Sequence, residues 1–395
     1  MAVYDKYGNR IDELNDSIVL KSYYYDEMAD TIQKVRSISD EPSIVFPIVT
    51  DIHRYKATTQ TFDDMIKNIA YFTKEVKCDF VVNTGDTIEG DSAKATSFTQ
   101  AFEAIKAFMN IGVPFVYAQG NHDNNIYSSS SSNQFTLAET FQAFFNATKD
   151  VTYHFSEGGT EYYIDLDGIG VRAVVINACN SGRVTNYGYG NTTASWLTNT
   201  ALDTEHTVLL FEHLSSIASQ VWNNNHGTNA SNVESALRTF VNNGGTIIEL
   251  SGHSHIDVAF IQPWLSVMNV CQKFEVANIT SENYQKISGY IDQLTAPTRT
   301  AGTYTEDAWT ACVLKPNSGE LDCIRFGGGC DRYFHYKPIA PTTLTTRLSD
   351  VTWSSSDTSI ATVADGVITG VASGTCAILA KDAEGNYEAW TVTVA

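Results

Sequence analysis

The sequence predicts an α/β domain of stacked β-sheets flanked by helices, followed by a small all-β sandwich. Two patterns carry this expectation. From about residue 41, short β-branched and aromatic runs alternate with helical-looking stretches, the punctuation of α/β folds. From about Pro338 to Ala395 the composition turns to Thr, Ser, Val, Ala and Gly with almost no helical periodicity. The length agrees, because 395 residues exceed what one hydrophobic core usually holds.

Taken in order, residues 1–40 are polar, with a weakly amphipathic stretch at MADTIQKVRSI that reads as an arm or short helix. Residues 41–337 form the α/β part. There SIVFPIV precedes TFDDMIKNIAYFTKEV, DFVV precedes SFTQAFEAIKAFMN, and VPFVYA precedes FTLAETFQAFFNA. The runs GVRAVVIN, HTVLLF and GTIIEL follow, with SNVESALRTFVNN as a helix between the last two. Residues 338–395 read as five short strands separated by Ser-Asp, Asp-Gly, Ser-Gly and Glu-Gly-Asn turns.

The formal charge of −20 excludes a general nucleic-acid binder, which shows a basic stripe. It does not conflict with an anionic substrate, since bound metal supplies positive charge that the formal sum omits. The seven cysteines are scattered without C-x-x-C pairs, so neither a zinc knuckle nor a dense disulfide framework is expected. No apolar run approaches membrane-spanning length, so no membrane insertion is expected. The first residues lack the basic and apolar regions of a secretory signal.

Each apolar run of the α/β part ends in a polar cluster. FPIVTDIH supplies Asp51 and His53, DFVVNTGD supplies Asp86, and FVYAQGNHD supplies Asn121, His122 and Asp123. VLLFEH supplies His213, and IIELSGHSH supplies His253 and His255. An extended segment points alternate side chains the same way, so the last two histidines are able to reach one point in space. Singly, each cluster is an ordinary turn. Together, at successive strand ends where α/β folds bind ligands, they form the donor set of a metal site with nitrogen and oxygen ligands.

In this order, D-x-H, G-D, G-N-H-D, H and G-H-x-H, the chain resembles the calcineurin-like metallophosphoesterases over about residues 44–336. SWL at Ser195–Leu197 and RFGGGCDRYFHY fit the same family. The resemblance implies a metallophosphoesterase sandwich fold and two divalent metal ions, of Mn, Fe, Zn or Ni character. It implies that Asp86 bridges them, that Asp51, His53 and His255 complete one site, and that Asn121, His213 and His253 complete the other. His122 is then the general acid or charge stabiliser beside the leaving group, oriented by Asp123. The implied reaction is hydrolysis of phosphate mono- or diesters, a shared hydroxide attacking phosphorus in line between cations about 3.5–4 Å apart. One departure stands out: Arg54 follows D-x-H where the family has glycine, placing a cation at the expected mouth.

Substrate contacts are expected from Arg54, Arg183, Tyr187 and His226, in polar loops on the same rim, while His154, His206 and His335 receive no role. The tail, through TWSSSD, SIATV, GVITGVASGTCAILA and TVTV, resembles the bacterial immunoglobulin-like domain of group 2. PTTLTTRLSD is too short for that family's opening strands, so the sandwich is trimmed or its edge is covered by the main domain or another chain. Such a module implies a cell-envelope glycan or virion partner and an extracellular, cell-surface or phage-particle location, with the cytoplasm as the other option. Three roles follow: an esterase acting on envelope polymers, an intracellular phosphoesterase, or an attachment or virion structural protein using the domain only as scaffold.

Overall fold

A computed structural model describes residues 18–39, 42–54, 59–145, 153–166, 168–179, 187–216, 227–268, 291 and 298–395. Its α/β part is built on two sheets, each with a run of parallel strands. In the first, β1 (Ile44–Val49), β2 (Val81–Asn83) and β3 (Phe115–Tyr117) run parallel and are crossed over by α2 (Thr59–Glu75) and α3 (Lys94–Met109). In the second, β4 (His154–Phe155), β5 (Tyr162–Leu166), β6 (Val171–Val175), β7 (Thr207–Phe211), β8 (Ile247–Ser251), β9 (Val258–Gln262) and β10 (Trp264–Met268) lie in the order β4-β5-β6-β7-β8-β10-β9. Strands β6, β7, β8 and β10 are parallel neighbours. Two short helices, α4 (Leu137–Thr140) and α5 (Thr193–Trp196), each run on into a π-turn, and α6 (Ala230–Asn242) leads into β8.

The period of two along the second sheet decides what packs on each face. Leu209 and Phe211 of β7 face the first sheet, and Val208 and Leu210 face Leu197, Val233 and Leu237 of the outer helical layer. Phe46 of β1 meets Phe211 edge to face at 5.8 Å and stacks on Phe80 at 4.9 Å. All three rings are buried, and full burial of one such side chain stabilises the fold by about 1.5–3 kcal/mol. The two sheets are thereby locked with the carboxyl ends of β1, β2, β3, β7 and β8 on a common rim.

Of the expected arm or short helix, the described residues show a helix, α1 (Tyr25–Ile38), packed on the main domain. Tyr24, Met28, Ile32 and Val35 are buried in the main core, and α1 lies on β11 (Ala308–Lys315) and β12 (Glu320–Gly327). Residues 1–17 lie outside the described residues.

The tail contains five strands: β14 (Thr352–Ser355), β15 (Ala361–Ala364), β16 (Val367–Gly370), β17 (Gly374–Lys381) and β18 (Tyr387–Val394). They do not hang from the main domain as a separate bead. Strand β13 (Arg332–Ile339) pairs in parallel with β18, making one nine-stranded sheet in the order β14-β17-β18-β13-β12-β11-β1-β2-β3. β13 also runs across the boundary expected at residue 338. The edge of the tail is therefore covered by the main domain, one of the options left open by its short opening segment. His335 faces Glu388 at 2.8 Å and stacks on Trp390, and Arg347 reaches Glu388 at 3.1 Å and Asp322 at 3.2 Å. Removing residues 341–395 strips the β13 edge and uncovers this network. The truncated chain is expected to melt at least about 5 °C lower than the full chain in a calorimetric scan; an unchanged melt would show that the β13–β18 pairing contributes nothing.

Candidate metal centre

Five loops leave the common rim and converge. Asp51 and His53 follow β1, Asp86 follows β2, Asn121 and His122 follow β3, His213 follows β7, and His253 and His255 follow β8. Three overlapping groups have ligand atoms within 4.8 Å of one another: Asp51, His53 and His255; His53, Asp86 and His122; Asp86, His213 and His253. The sequence places these residues in five separate stretches, and the fold brings every one of them together.

The backbone shows how. Asp51, His53, Asp86, His253 and His255 all have φ between 46° and 70°, the left-handed region. Each such residue without a glycine's freedom costs roughly 1–2 kcal/mol, tolerated best by Asp, Asn and His. Strain of this kind gathers at functional sites because the surrounding structure is built to hold it. It also corrects the expected route for His253 and His255, which converge through left-handed kinks and not through an extended strand. His255 Nε2 faces Asp51 Oδ1 at 3.2 Å, whereas the His253 ring stacks edge-on against His213 at 5.1 Å. The two histidines thus lie toward different halves of the cluster.

Second contacts fix the imidazoles. His53 Nδ1 is 3.1 Å from Glu89 Oε2, His213 Nδ1 is 2.8 Å from the Thr84 carbonyl, and His122 Nδ1 is 2.6 Å from the Glu89 carbonyl. A carbonyl only accepts, so Nδ1 of His122 and His213 must carry the proton. That leaves Nε2 of a neutral His213 as a bare lone pair, 3.2 Å from Asp86 Oδ2 and 3.1 Å from Asn121 Oδ1. Three acceptors aimed at one another need a cation or a proton among them. Elsewhere in the cluster, the buried Asp51 Oδ1 and His53 Nε2 have no hydrogen-bond partner among the described residues. These orphaned atoms, with a donor set of carboxylate, imidazole and amide, fit divalent metal ions.

The electrostatics agree. Burial pushes the Asp51 carboxyl up, but the imidazoles of His255 and His213 outweigh it and hold Asp51 below the usual carboxylate range. Asp86 is likewise pushed up by burial and brought well below that range by His213 and His122. Burial depresses His53, and it takes His253 down to about 3, so both present neutral rings. His213 moves up, to about 9, because Asp86 and Asp51 overcome its burial; a proton holds the place that a cation suits.

Residues 45–257, more than half of the chain, match the family model for calcineurin-like phosphoesterases. The chain belongs to this family. Its fold is a metallophosphoesterase α/β sandwich. No curated protein matches it in sequence. Among solved structures it is similar to PhoD, at 12% identity over 72% of this chain and 66% of that one, just under two thirds, with a TM-score of 0.47. It is also similar to a dimetal phosphatase from Danio rerio, at 12% identity over 74% of this chain and 99% of that one, with a TM-score of 0.46.

Among the described residues, the Asp123 carboxylate has partners other than the His122 ring. Its Oδ1 accepts from the backbone of Thr87 and Ile88, and its Oδ2 accepts from the Tyr117 hydroxyl and the Gly120 backbone. Burial and the charge of Asp86 raise its pKa to about 6, and its contacts brace the two loops that carry Asp86 and Asn121. Arg54 is engaged with the helical layer: its guanidinium lies over the Phe62 ring at 4.4 Å and 3.9 Å from Glu103 of α3. Tyr187 does reach the cluster, its ring edge-on to His253 at 5.5 Å. Arg183 and His226 lie outside the described residues.

Sequence reasoning missed Glu89 and Tyr127, because a lone Glu in a loop and a Tyr before a serine run read as solvated residues. Glu89 is buried and serves both His53, through its carboxylate, and His122, through its carbonyl. Glu89→Gln keeps the shape and the carbonyl but removes the anion that steadies the His53 N–H. It is expected to weaken Mn²⁺ binding by about 10–100-fold in a calorimetric titration, the usual effect of losing such a partner. Wild-type affinity in that variant would rule out this role.

Proposed function

We propose that the chain hydrolyses phosphate mono- or diesters at a dinuclear metal centre. In this reading Asp86 would serve both ions, Asp51, His53 and His255 would complete one site, and Asn121, His213 and His253 would complete the other. The single observation that carries it is the convergence of buried acceptors, above all Asp86 Oδ2, which is 3.2 Å from His213 Nε2 and 3.6 Å from His53 Nε2 on opposite halves of the cluster. When bound, two divalent cations would supply Lewis-acid polarisation of the phosphoryl oxygens and a nucleophile at neutral pH.

The chain's own groups do the rest. His122 keeps its Nδ1 proton on the Glu89 carbonyl and its ring edge-on to His53 at 4.4 Å, so its Nε2 faces the cluster, 3.8 Å from Asp86. As the imidazolium it has a proton at Nε2 to give to the departing oxygen. Geometry alone also lets His122 act as a ligand with His53 and Asp86. The carbonyl contact and the family order favour the leaving-group role.

The tail supports a further part of the reading. Its Trp and Gly pattern and five strands fit a group 2 bacterial immunoglobulin-like module, and we assign to it the placement of the enzyme on phosphate-containing envelope polymers such as teichoic acids, or on a virion. An extracellular, cell-surface or phage-particle location belongs with that role. Recovery of the protein from host cytosol alone, never from particles or envelopes, would overturn it.

The test of the catalytic reading is elemental analysis of the purified chain alongside Mn²⁺-supplemented hydrolysis of bis-p-nitrophenyl phosphate and p-nitrophenyl phosphate. About two metals per chain with turnover of either ester supports it and sorts the ester class. No metal and no turnover would leave the domain as a scaffold for attachment.

A further inference from the structure

We propose that Tyr127 is a positioning residue that holds the Asn121 amide with its oxygen toward the metal cluster. The inference rests on the dinuclear reading and names a determinant of that site which no motif of the sequence contains.

An asparagine amide presents oxygen or nitrogen to a given point with almost the same shape, so something must choose between them. At Asn121 the nitrogen end is held on the far side of the group. Its Nδ2 donates to the Tyr127 hydroxyl at 3.1 Å, while its Oδ1 points to His213 Nε2 at 3.1 Å. Turned over, the amide would aim N–H groups at the place where a cation fits.

The ring and backbone of Tyr127 are constrained. The ring stacks on His122 at 4.1 Å with an interplanar angle of 26°, and the backbone N–H donates to the Gly90 carbonyl at 2.9 Å. One side chain therefore spans two residues of the cluster: Asn121 through its oxygen and His122 through its ring face. With 42% of its surface exposed, Tyr127 contributes little to the core, which separates its positioning role from fold stability. A tyrosine kept at the rim for these contacts is a partner outside the ligand set, the kind whose loss weakens metal binding without removing a ligand.

The experiment is calorimetric titration of the metal-stripped chain with Mn²⁺, for wild type, Tyr127→Phe, Asn121→Ala and the double variant. Tyr127→Phe keeps the stack on His122 and removes only the acceptor. One of the two Mn²⁺ equivalents is expected to weaken by about tenfold and the other to stay unchanged, the lower end of what such a loss produces. In the Asn121→Ala background the same change is expected to have no further effect, a non-additivity that general loosening would not show. Two wild-type equivalents with Tyr127→Phe unchanged would overturn the proposal alone, as would an undiminished effect of Tyr127→Phe in the Asn121→Ala chain. A wild-type chain that takes up no Mn²⁺ would overturn the dinuclear reading and this proposal with it.

Discussion

Asp86→Asn is expected to lower hydrolysis by at least about a thousandfold and to leave fewer than two metals per chain, while the melting temperature of the metal-free protein changes little. The magnitude follows from position. Losing one electrostatic donor at a reacting centre typically costs about 10²–10³ in rate, and Asp86 serves both halves of the cluster, so its loss is expected to fall beyond that range. The substitution isolates charge from shape. Asp86 holds a left-handed backbone, φ 51°, which Asn also tolerates, and its Oδ1 accepts the His122 backbone N–H at 2.7 Å, a bond that an Asn oxygen preserves. What disappears is the negative charge on Oδ2 between His213 and His53. Elemental analysis and ester hydrolysis read the two effects together. Two retained metals with activity within tenfold of wild type would show that the bridging position is not Asp86.

Much of this site was legible in sequence because its chemistry is local to each strand end. Strands β1, β2, β3, β7 and β8 are short, apolar and buried, so each stands out and each is followed at once by its polar cluster. Helices α2, α3 and α6 follow their periodicity in the same way. Strands β11 and β12 were not read, for a physical reason. They are buried on both faces, and charged residues are carried inside by partners that no periodicity reveals: Lys315 reaches Asp322 at 3.0 Å, and Arg325 reaches Asp257 at 2.6 Å. The partners of Asp123 and Arg54 were not legible for a related reason. Spacing along the chain tells which residues sit near a site, but hydrogen-bond partners decide which way they face. Glu89 was invisible because its function comes from burial, and burial of a lone loop carboxylate leaves no trace in composition.

The glycines of the motifs carry the second large prediction. Gly120→Ala is expected to destabilise the fold by about 3 kcal/mol, the upper end for overpacking, and to lower activity at least about a hundredfold. A Cβ at position 120 would lie 2.0 Å from the Asp86 backbone nitrogen and 2.2 Å from its Oδ1. Backbone atoms have no rotamer through which to escape, so the loops after β2 and β3 must part. Parting them moves Asp86 away from Asn121 and breaks the brace at Asp123, which ties Gly120 to Thr87. The same logic applies at Gly252, where a Cβ would meet Thr50 Oγ1 at 1.9 Å and Asp51 Oδ2 at 2.6 Å, joining the two sheets across the site. The motif glycines are thus read as close approaches between ligand loops. A Gly168→Ala control, with nothing within 4 Å of the added carbon, should leave both melting and turnover unchanged. Equal behaviour of Gly120→Ala and Gly168→Ala in thermal melts and ester hydrolysis would refute the claim that loop contact, and not loop flexibility, is what these positions supply.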